Sequence, residues 1–258
     1  MLVTGASGYL GGAVAALSGA VPAPRVDIRD LGALSALFAV VRPATVVHTA
    51  TTLGNKGGSP EDLWPVVAAG AANVAVAARS VGARLVHVSS DAIFAGRDAP
   101  YTEADVPSPV FEYGAAKAAA EEAVAAVDPG AALVRTSLIV SGGRGPLSRH
   151  EQTCLDLAKG AASGALFTDE IRCPIAVDDL AAALVAVAAT DYAGVLNVAG
   201  PEALSRYEIG VRVATRHGLD PAAVPASTLA ESGLHRPGKV VLDSSAAVGL
   251  LGLTLRNI

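Results

Sequence analysis

Met1-Leu2-Val3-Thr4-Gly5-Ala6-Ser7-Gly8-Tyr9-Leu10-Gly11 decides the fold. An apolar run comes first, then glycines at positions 5, 8 and 11, then an alanine-rich stretch through Leu17. That order reads as strand, tight turn, helix. Glycines at this spacing let the chain turn sharply, let the backbone approach a pyrophosphate, and let the helix pack on its strand. The helix N-terminus then offers free N–H groups to an anion. In a chain with 27 glycines the bare pattern is weak. Its place, after the first strand of an alternating chain, gives it weight.

The alternation continues outward from that turn. Short apolar runs predict strands over 2–4, 25–28, 45–49, 84–89, 132–136 and 195–198. Longer alanine-rich runs predict helices over 8–17, 31–41, 61–81, 113–127, 179–189 and 205–217. Strands buried on both faces read as nearly unbroken apolar runs, as Thr45-Val46-Val47-His48-Thr49 and Arg84-Leu85-Val86-His87-Val88 do. The pattern implies an α/β fold, a doubly wound parallel sheet of Rossmann type with a small C-terminal substrate-binding lobe. Residues 1–140 form the core; residues 141–258, where the alternation loosens, return to it and form the lobe. Asp30 is placed to cap the helix that Pro43 closes, and Asp178 and Asp179 read as N-cap and dipole charges for the helix after them.

Composition narrows the classes. The 258 residues are 52% hydrophobic and 17% charged, with a net charge of −5. No basic surplus exists for tracking nucleic acid phosphates, and aromatics are only 4%, too few for base-stacking platforms. Alanine, at 54 residues, supplies much of the hydrophobicity. Residues 1–24 carry no charge, but five glycines and two prolines interrupt them, so they read as neither leader nor spanning helix. The stretch 63–78 is uncharged but too short to span. The expectation is a soluble, cytoplasmic chain. Cys154 and Cys173 have no metal-type spacing and read as free thiols; no metal is expected.

Chemistry concentrates in two further places. Tyr113-Gly114-Ala115-Ala116-Lys117 sets a tyrosine and a lysine one helical turn apart, in a chain with five tyrosines and four lysines. Val88-Ser89-Ser90-Asp91-Ala92 leaves the C-terminal end of a predicted strand, where ligands meet doubly wound sheets. Ketone reduction needs a hydride donor on one face and a proton donor at the oxygen. A tyrosine, with its ordinary pKa near 10, suits that task when an ammonium draws it down. Lys117 is placed to do this, and Ser90 to donate a hydrogen bond to the carbonyl oxygen.

The G-x-x-G-x-x-G turn, the Tyr-x-x-x-Lys pair and the serine resemble extended short-chain dehydrogenases/reductases. More stretches narrow the resemblance to the dTDP-4-dehydrorhamnose reductase-like, sugar-nucleotide-binding branch. They are Asp27-Ile28-Arg29-Asp30, Val47-His48-Thr49-Ala50, Ala99-Pro100-Tyr101-Thr102-Glu103 and Phe167-Thr168-Asp169-Glu170-Ile171-Arg172-Cys173-Pro174. The resemblance implies a nicotinamide cofactor on Gly5, Ser7, Gly8, Tyr9, Leu10, Gly11, Asp27, Ile28, Thr49, Ala50, Thr51, Tyr113 and Lys117. It implies catalysis by Ser90, Tyr113 and Lys117, and a nucleotide-sugar substrate on Ser90, Asp91, Tyr113 and Thr136. Asp27 also reads as a strand-end turn residue, and Arg135 equally as pocket lining or as a structural ion pair.

Three departures bear on the activity. Ala92 follows Ser90-Asp91 where related dehydratases carry glutamate, which counts against elimination of water. Val67 falls where the family places a helical asparagine in its proton relay. Residues 18–24 look too short for the strand the family inserts there, the strand that selects NAD or NADP. Arg25 suits a 2′-phosphate or plain solvent, and the reading leans to NADP(H) over NAD(H). The implied reaction is NAD(P)H-dependent reduction of a nucleotide-linked 4-keto-6-deoxysugar. The alternatives are a non-catalytic NAD(P)-binding regulatory subunit, or an epimerase or ketone reductase acting on another substrate. The sequence leaves the oligomeric state open.

Overall fold

The computed structural model describes residues 1–52 and 60–258. Its strands are β1 (Leu2–Thr4), β2 (Val21–Pro22), β3 (Thr45–His48), β4 (Arg84–Val88), β5 (Ala132–Arg135), β6 (Ile139–Val140), β7 (Leu166–Phe167), β8 (Ile171–Arg172), β9 (Ile175–Ala176), β10 (Gly194–Asn197), β11 (Leu204–Ser205) and β12 (Ala226–Ser227). Its helices are α1 (Tyr9–Ser18), α2 (Leu31–Val41), α3 (Gly70–Ser80), α4 (Glu112–Val127), α5 (Arg149–Ala158), α6 (Val177–Ala188), α7 (Arg206–Arg216), α8 (Leu229–Ser232) and α9 (Ser245–Leu251). Six strands form one sheet in the order β10-β5-β4-β3-β1-β2, parallel throughout.

Alternation along each strand sends successive side chains to opposite faces. Val3, Val47, Val86 and Val134 face α1 and α6 and pack with Leu180 and Leu184. Leu2, Val46, Leu85 and Leu133 face the other layer and pack with Leu34, Phe38 and Val74. Each fully buried side chain of this kind stabilises the fold by roughly 1.5–3 kcal/mol. Alanine has a clear use here. Ala71, Ala75, Ala78 and Ala120 are wholly buried where α3 and α4 pack over the sheet, and small side chains let the helices approach closely.

The strand between α1 and α2 is present, contrary to the sequence expectation. It is not 25–28, which lies outside the strands, but Val21–Pro22, paired to Leu2 and Val3. An edge strand needs hydrogen bonds on one side only, so Pro22, with no N–H, is tolerated there. Ala23 N donates to Val3 O at 3.0 Å and carries the pairing one residue further. The single helix expected over 61–81 is also divided. A short turn over Pro60–Asp62 and a π-helical turn over Pro65–Ala69 precede α3. Pro65 opens the π turn, and its carbonyl accepts from Gly70 N.

Local punctuation agrees elsewhere. Asp30 caps α2, accepting from Ala33 N at 2.9 Å. Asp178 and Asp179 lie inside the first turn of α6; the N-cap is Ala176, without a side-chain cap. Asp179 instead accepts from Arg256 N (2.9 Å) and Nε (2.7 Å), pinning the C-terminal tail. After β5 the chain leaves the sheet, returns through α6 and β10, and leaves again. The excursions carry a separate small core around Cys154, Leu155, Leu166, Ile209 and Val213. Both cysteines are buried free thiols. Among the described residues no helix is long and apolar enough to cross a membrane.

Candidate active site

The turn after β1 is built by close backbone approach. Gly5 has φ +76°, and a Cβ there would stand 2.6 Å from Ala50 N. A Cβ on Gly11 would stand 2.2 Å from Gly5 O and 2.5 Å from Thr49 Oγ1. Gly8 N closes the turn on Gly5 O at 2.8 Å. The α1 N-terminus that follows has no side-chain cap and no acidic residue in its first turn. Its N–H groups and dipole are therefore available to an anion. This arrangement fits a dinucleotide pyrophosphate. Ser7 and Gly8 are exposed at its mouth. Leu10 is a core residue, and Tyr9 reaches away to donate to Pro146 O at 3.0 Å, so their main chains, not their side chains, face the turn.

Thr49, Ala50 and Thr51 follow β3 beside this turn, with Thr49 Oγ1 donating to Thr4 O at 2.8 Å. Asp27 and Ile28 follow β2. Asp27 accepts from Arg29 N and from the Arg29 guanidinium, which holds its carboxyl below the usual carboxylate range. Arg29 also reaches Asp62 at 2.6 Å. Ile28 is buried and packs where Gly70 has no side chain. Asn73 Nδ2 donates to the carbonyls of Ile28 and Arg29. Arg25 is exposed three residues after β2.

Ser90 follows β4 and Tyr113 and Lys117 share α4, and the fold brings the two elements together beyond β4. Tyr113 is half-buried, with Thr51 and Ser90 close enough to act on its phenol. Lys117 is buried, and its Nζ donates to Val88 O at 3.0 Å. Gly114 makes this approach possible. A Cβ there would stand 2.1 Å from Ala92 O, so only glycine lets α4 press against the Asp91–Ile93 turn. Val67 packs with Leu63, Ala116 and Tyr113, an apolar wall beside the tyrosine.

The electrostatics differ from the expectation that Lys117 draws the phenol down. Burial pushes Tyr113 up to about 12, with the Asp91 charge acting in the same direction; the Thr51 and Ser90 hydrogen bonds oppose it. Burial also brings Lys117 down to about 8, against a smaller opposing effect of Glu121. Beneath lie His48 and His87, stacked with ring centroids 5.3 Å apart. Burial first, and the Lys117 charge second, hold both imidazoles neutral, with His48 down to about 3.

Asp91 sits deeper than a simple pocket residue would. Ser137 Oγ donates to it at 2.6 Å, Arg172 Nε stands 3.7 Å away, and Asp91 N donates to Thr136 O at 2.7 Å. Burial raises its pKa, while Arg172 and Ser137 oppose the shift. Thr136 is buried under it. Glu170 meets Arg172 at 3.3 Å and completes the group. Reading the sequence assigned nothing to Arg172 or Glu170, which lie far from Asp91 along the chain. Arg135 takes the structural alternative: it is buried, bonded to Glu121 at 2.8 Å and to Asp105 O at 3.0 Å.

A doubly wound sheet with a glycine turn at one switch point and a Ser–Tyr–Lys set at the end of β4 is the architecture of an extended short-chain dehydrogenase/reductase. More narrowly, the chain belongs to the family described as the RmlD substrate binding domain, which it matches over residues 1–258. It is 32% identical to dTDP-4-dehydrorhamnose reductase of Mycolicibacterium smegmatis, over 98% of this chain and 81% of that one. It is 27% identical to methionine adenosyltransferase 2 subunit beta of Rattus norvegicus, over 95% of this chain and 80% of that one. Among solved structures it resembles dTDP-4-dehydrorhamnose reductase from Bacillus anthracis in complex with NADP. The TM-score is 0.84 and the identity 25%, over 98% of this chain and 91% of that one.

Proposed function

We propose that this protein is a reductase of nucleotide-linked 4-keto-6-deoxysugars, using NAD(P)H with a lean to NADPH. The observation that carries the reading is the fold's bringing Tyr113 and Lys117 of α4 to the end of β4, where Lys117 Nζ donates to Val88 O at 3.0 Å and Ser90 and Thr51 act on the Tyr113 phenol. When bound, the nicotinamide supplies the hydride. Tyr113 is protonated at neutral pH and delivers its proton to the ketone oxygen. Ser90 donates a hydrogen bond to the same oxygen as negative charge develops there. Lys117, held on Val88 O one helical turn after Tyr113, positions the nicotinamide end of the cofactor. The apolar wall of Val67 and Leu63 keeps water from the tyrosine. The C-terminal excursions form the substrate lobe.

The lean to NADPH rests on the end of β2. Asp27, the carboxylate there, is engaged by Arg29, and exposed Arg25 is open to a 2′-phosphate. The regulatory-subunit reading is less well supported, because the Ser90, Tyr113 and Lys117 set is complete and assembled. The test follows the absorbance of NADPH and NADH with a panel of nucleotide 4-ketosugars. Turnover of at least one member is expected, with NADPH preferred. Cofactor binding without turnover of any member sinks the reading.

A further inference from the structure

Ser90 has one hydroxyl proton and two claims on it. Its Oγ donates to Asp91 Oδ1 at 3.4 Å. The reductase reading needs the same proton at the ketone oxygen. A hydroxyl donates once and accepts twice, and a carboxylate only accepts. An ionised Asp91 therefore draws the Ser90 proton away from the ketone. A neutral Asp91 donates to Ser90 instead and leaves that proton free.

The hydrogen bonds around the pair leave room for a proton at one place. Ser137 Oγ accepts from Cys173 N at 3.2 Å and donates to Asp91 Oδ2 at 2.6 Å. Oδ2 is thus an acceptor, and a proton on Asp91 belongs on Oδ1, the oxygen that faces Ser90. Ser90 Oγ also accepts from Ala92 N at 3.2 Å. Ala92 N and a protonated Oδ1 together occupy its lone pairs and turn its hydrogen outward.

Charge points the same way. Asp91 and Glu170, both buried, face Arg172 of β8. Arg172 commits Nη1 to Ile171 O at 2.7 Å and Gly238 O at 2.8 Å. Its Nη2 goes to Pro237 O at 2.8 Å and to Glu170 at 3.3 Å. Only Nε turns to Asp91, at 3.7 Å, beyond hydrogen-bond distance. Arg206 of α7 also acts on Glu170, so positive charge gathers on Glu170 rather than on Asp91. The other titratable groups that feel Asp91 are Tyr113 and Cys173, and neither is a cation. Burial keeps the Asp91 proton on, Arg172 and the two serines oppose it, and Glu170 adds to it. An Asp91 charge also opposes the phenolate that Tyr113 becomes.

We propose that Asp91 works as a neutral carboxylic acid whose Oδ1 proton is donated to Ser90, so that Ser90 is held as a donor to the ketone. Asp91 is then a positioning residue. The delivered proton is still that of Tyr113, and Asp91 begins and ends each turnover protonated. This deepens, and rests on, the reductase reading.

The experiment joins pH profiles of ketosugar reduction to infrared difference spectra of the wild-type chain against Asp91→Asn. Asparagine keeps the geometry: its oxygen takes the Ser137 hydrogen and its amide NH2 donates to Ser90. Asp91→Asn is expected to keep kcat within about threefold at neutral pH and to lose the falling limb that Asp91 ionisation gives the wild type, while the Lys117 limb stays. Asp91→Ala cannot donate and lowers kcat by at least about tenfold, with NADPH affinity unchanged. Glu170→Gln removes a negative neighbour, so the Asp91 limb moves to lower pH. The spectra are expected to show the C=O stretch of a protonated carboxyl in the wild type at neutral pH and its loss in Asp91→Asn. A loss of about 10²-fold or more in folded Asp91→Asn, or a carboxylate band in place of the acid band, overturns the proposal. If Asp91→Asn fails to fold, Glu170→Gln decides, and an unmoved limb overturns it. An acid band without turnover of any ketosugar leaves the state of Asp91 standing and removes the reductase reading. Turnover with an ionised Asp91 does the reverse.

Discussion

On the proposed cofactor side of the sheet the site is backbone. Gly5, Gly8 and Gly11 are spaced along the turn and the start of α1, and Ala50 N and Thr49 Oγ1 fill the room that the missing side chains of Gly5 and Gly11 leave. On the proposed substrate side it is side chains from distant parts of the chain. Asp91 leaves β4, Ser137 follows β5, and Arg172 and Glu170 come from the strand pair in the lobe. The first kind of site tolerates no added atom but needs few particular side chains. The second holds its members by charge and hydrogen bonds, so losing one leaves a buried partner unsatisfied. Tyr113 and Lys117, the proposed catalytic pair, stand between the two on α4.

Perturbations separate the two sides. The largest effect is expected from Tyr113→Phe, which lowers turnover by about 10²–10⁴-fold. Cofactor affinity, measured by fluorescence titration, stays unchanged; an active Phe variant removes the assigned role. Next is Arg135→Met. It leaves the Glu121 carboxylate buried without its cation, and urea denaturation is expected to report a loss of about 3–5 kcal/mol.

A pair of glycine substitutions then tests the division directly. Gly11→Ala and Gly114→Ala each force an atom against backbone, at a stability cost of about 1–3 kcal/mol. Gly11→Ala is expected to weaken cofactor binding, whereas Gly114→Ala lowers turnover by displacing Tyr113. Equal effects of both on cofactor affinity break the division.

A pH–rate profile sharpens the role of Lys117. Its ammonium is present below about pH 8 and lost above, so kcat/KM falls on the alkaline side, by about tenfold per unit at most. Lys117→Arg removes that limb. Stability moves the other way: the folded-state value is below the unfolded one, so between about 8 and 10.5 the unfolded chain holds more protons, and this group's contribution grows with pH. The smallest effect is a local control, Asp30→Ala, which removes the α2 cap for about 1 kcal/mol and leaves catalysis intact.

What was legible in the sequence follows the same division. The α2 boundaries, the Asp30 cap and the glycine turn are local, and local rules found them. The strand at 21–22 was missed because its pairing is tertiary. Two residues with a proline have no strand signal of their own, and only β1 alongside makes them a strand. Arg135 had two readings until Glu121, a turn along α4 from Lys117, was brought against it. Arg172 carried no local signal, because what distinguishes it is the carboxylates of Asp91 and Glu170 that the fold brings near it.

The sequence by itself determined the alternating architecture, the glycine turn and the chemical identity of the Ser90, Tyr113 and Lys117 set. Those depend on periodicity, on glycine spacing and on which functional groups a side chain carries. Only the tertiary structure decided the length of the 18–24 segment as a usable strand, the ionisation of Tyr113 and Lys117, and the pairing of the buried arginines. Those depend on desolvation and on distances across the fold, which a linear chain does not contain.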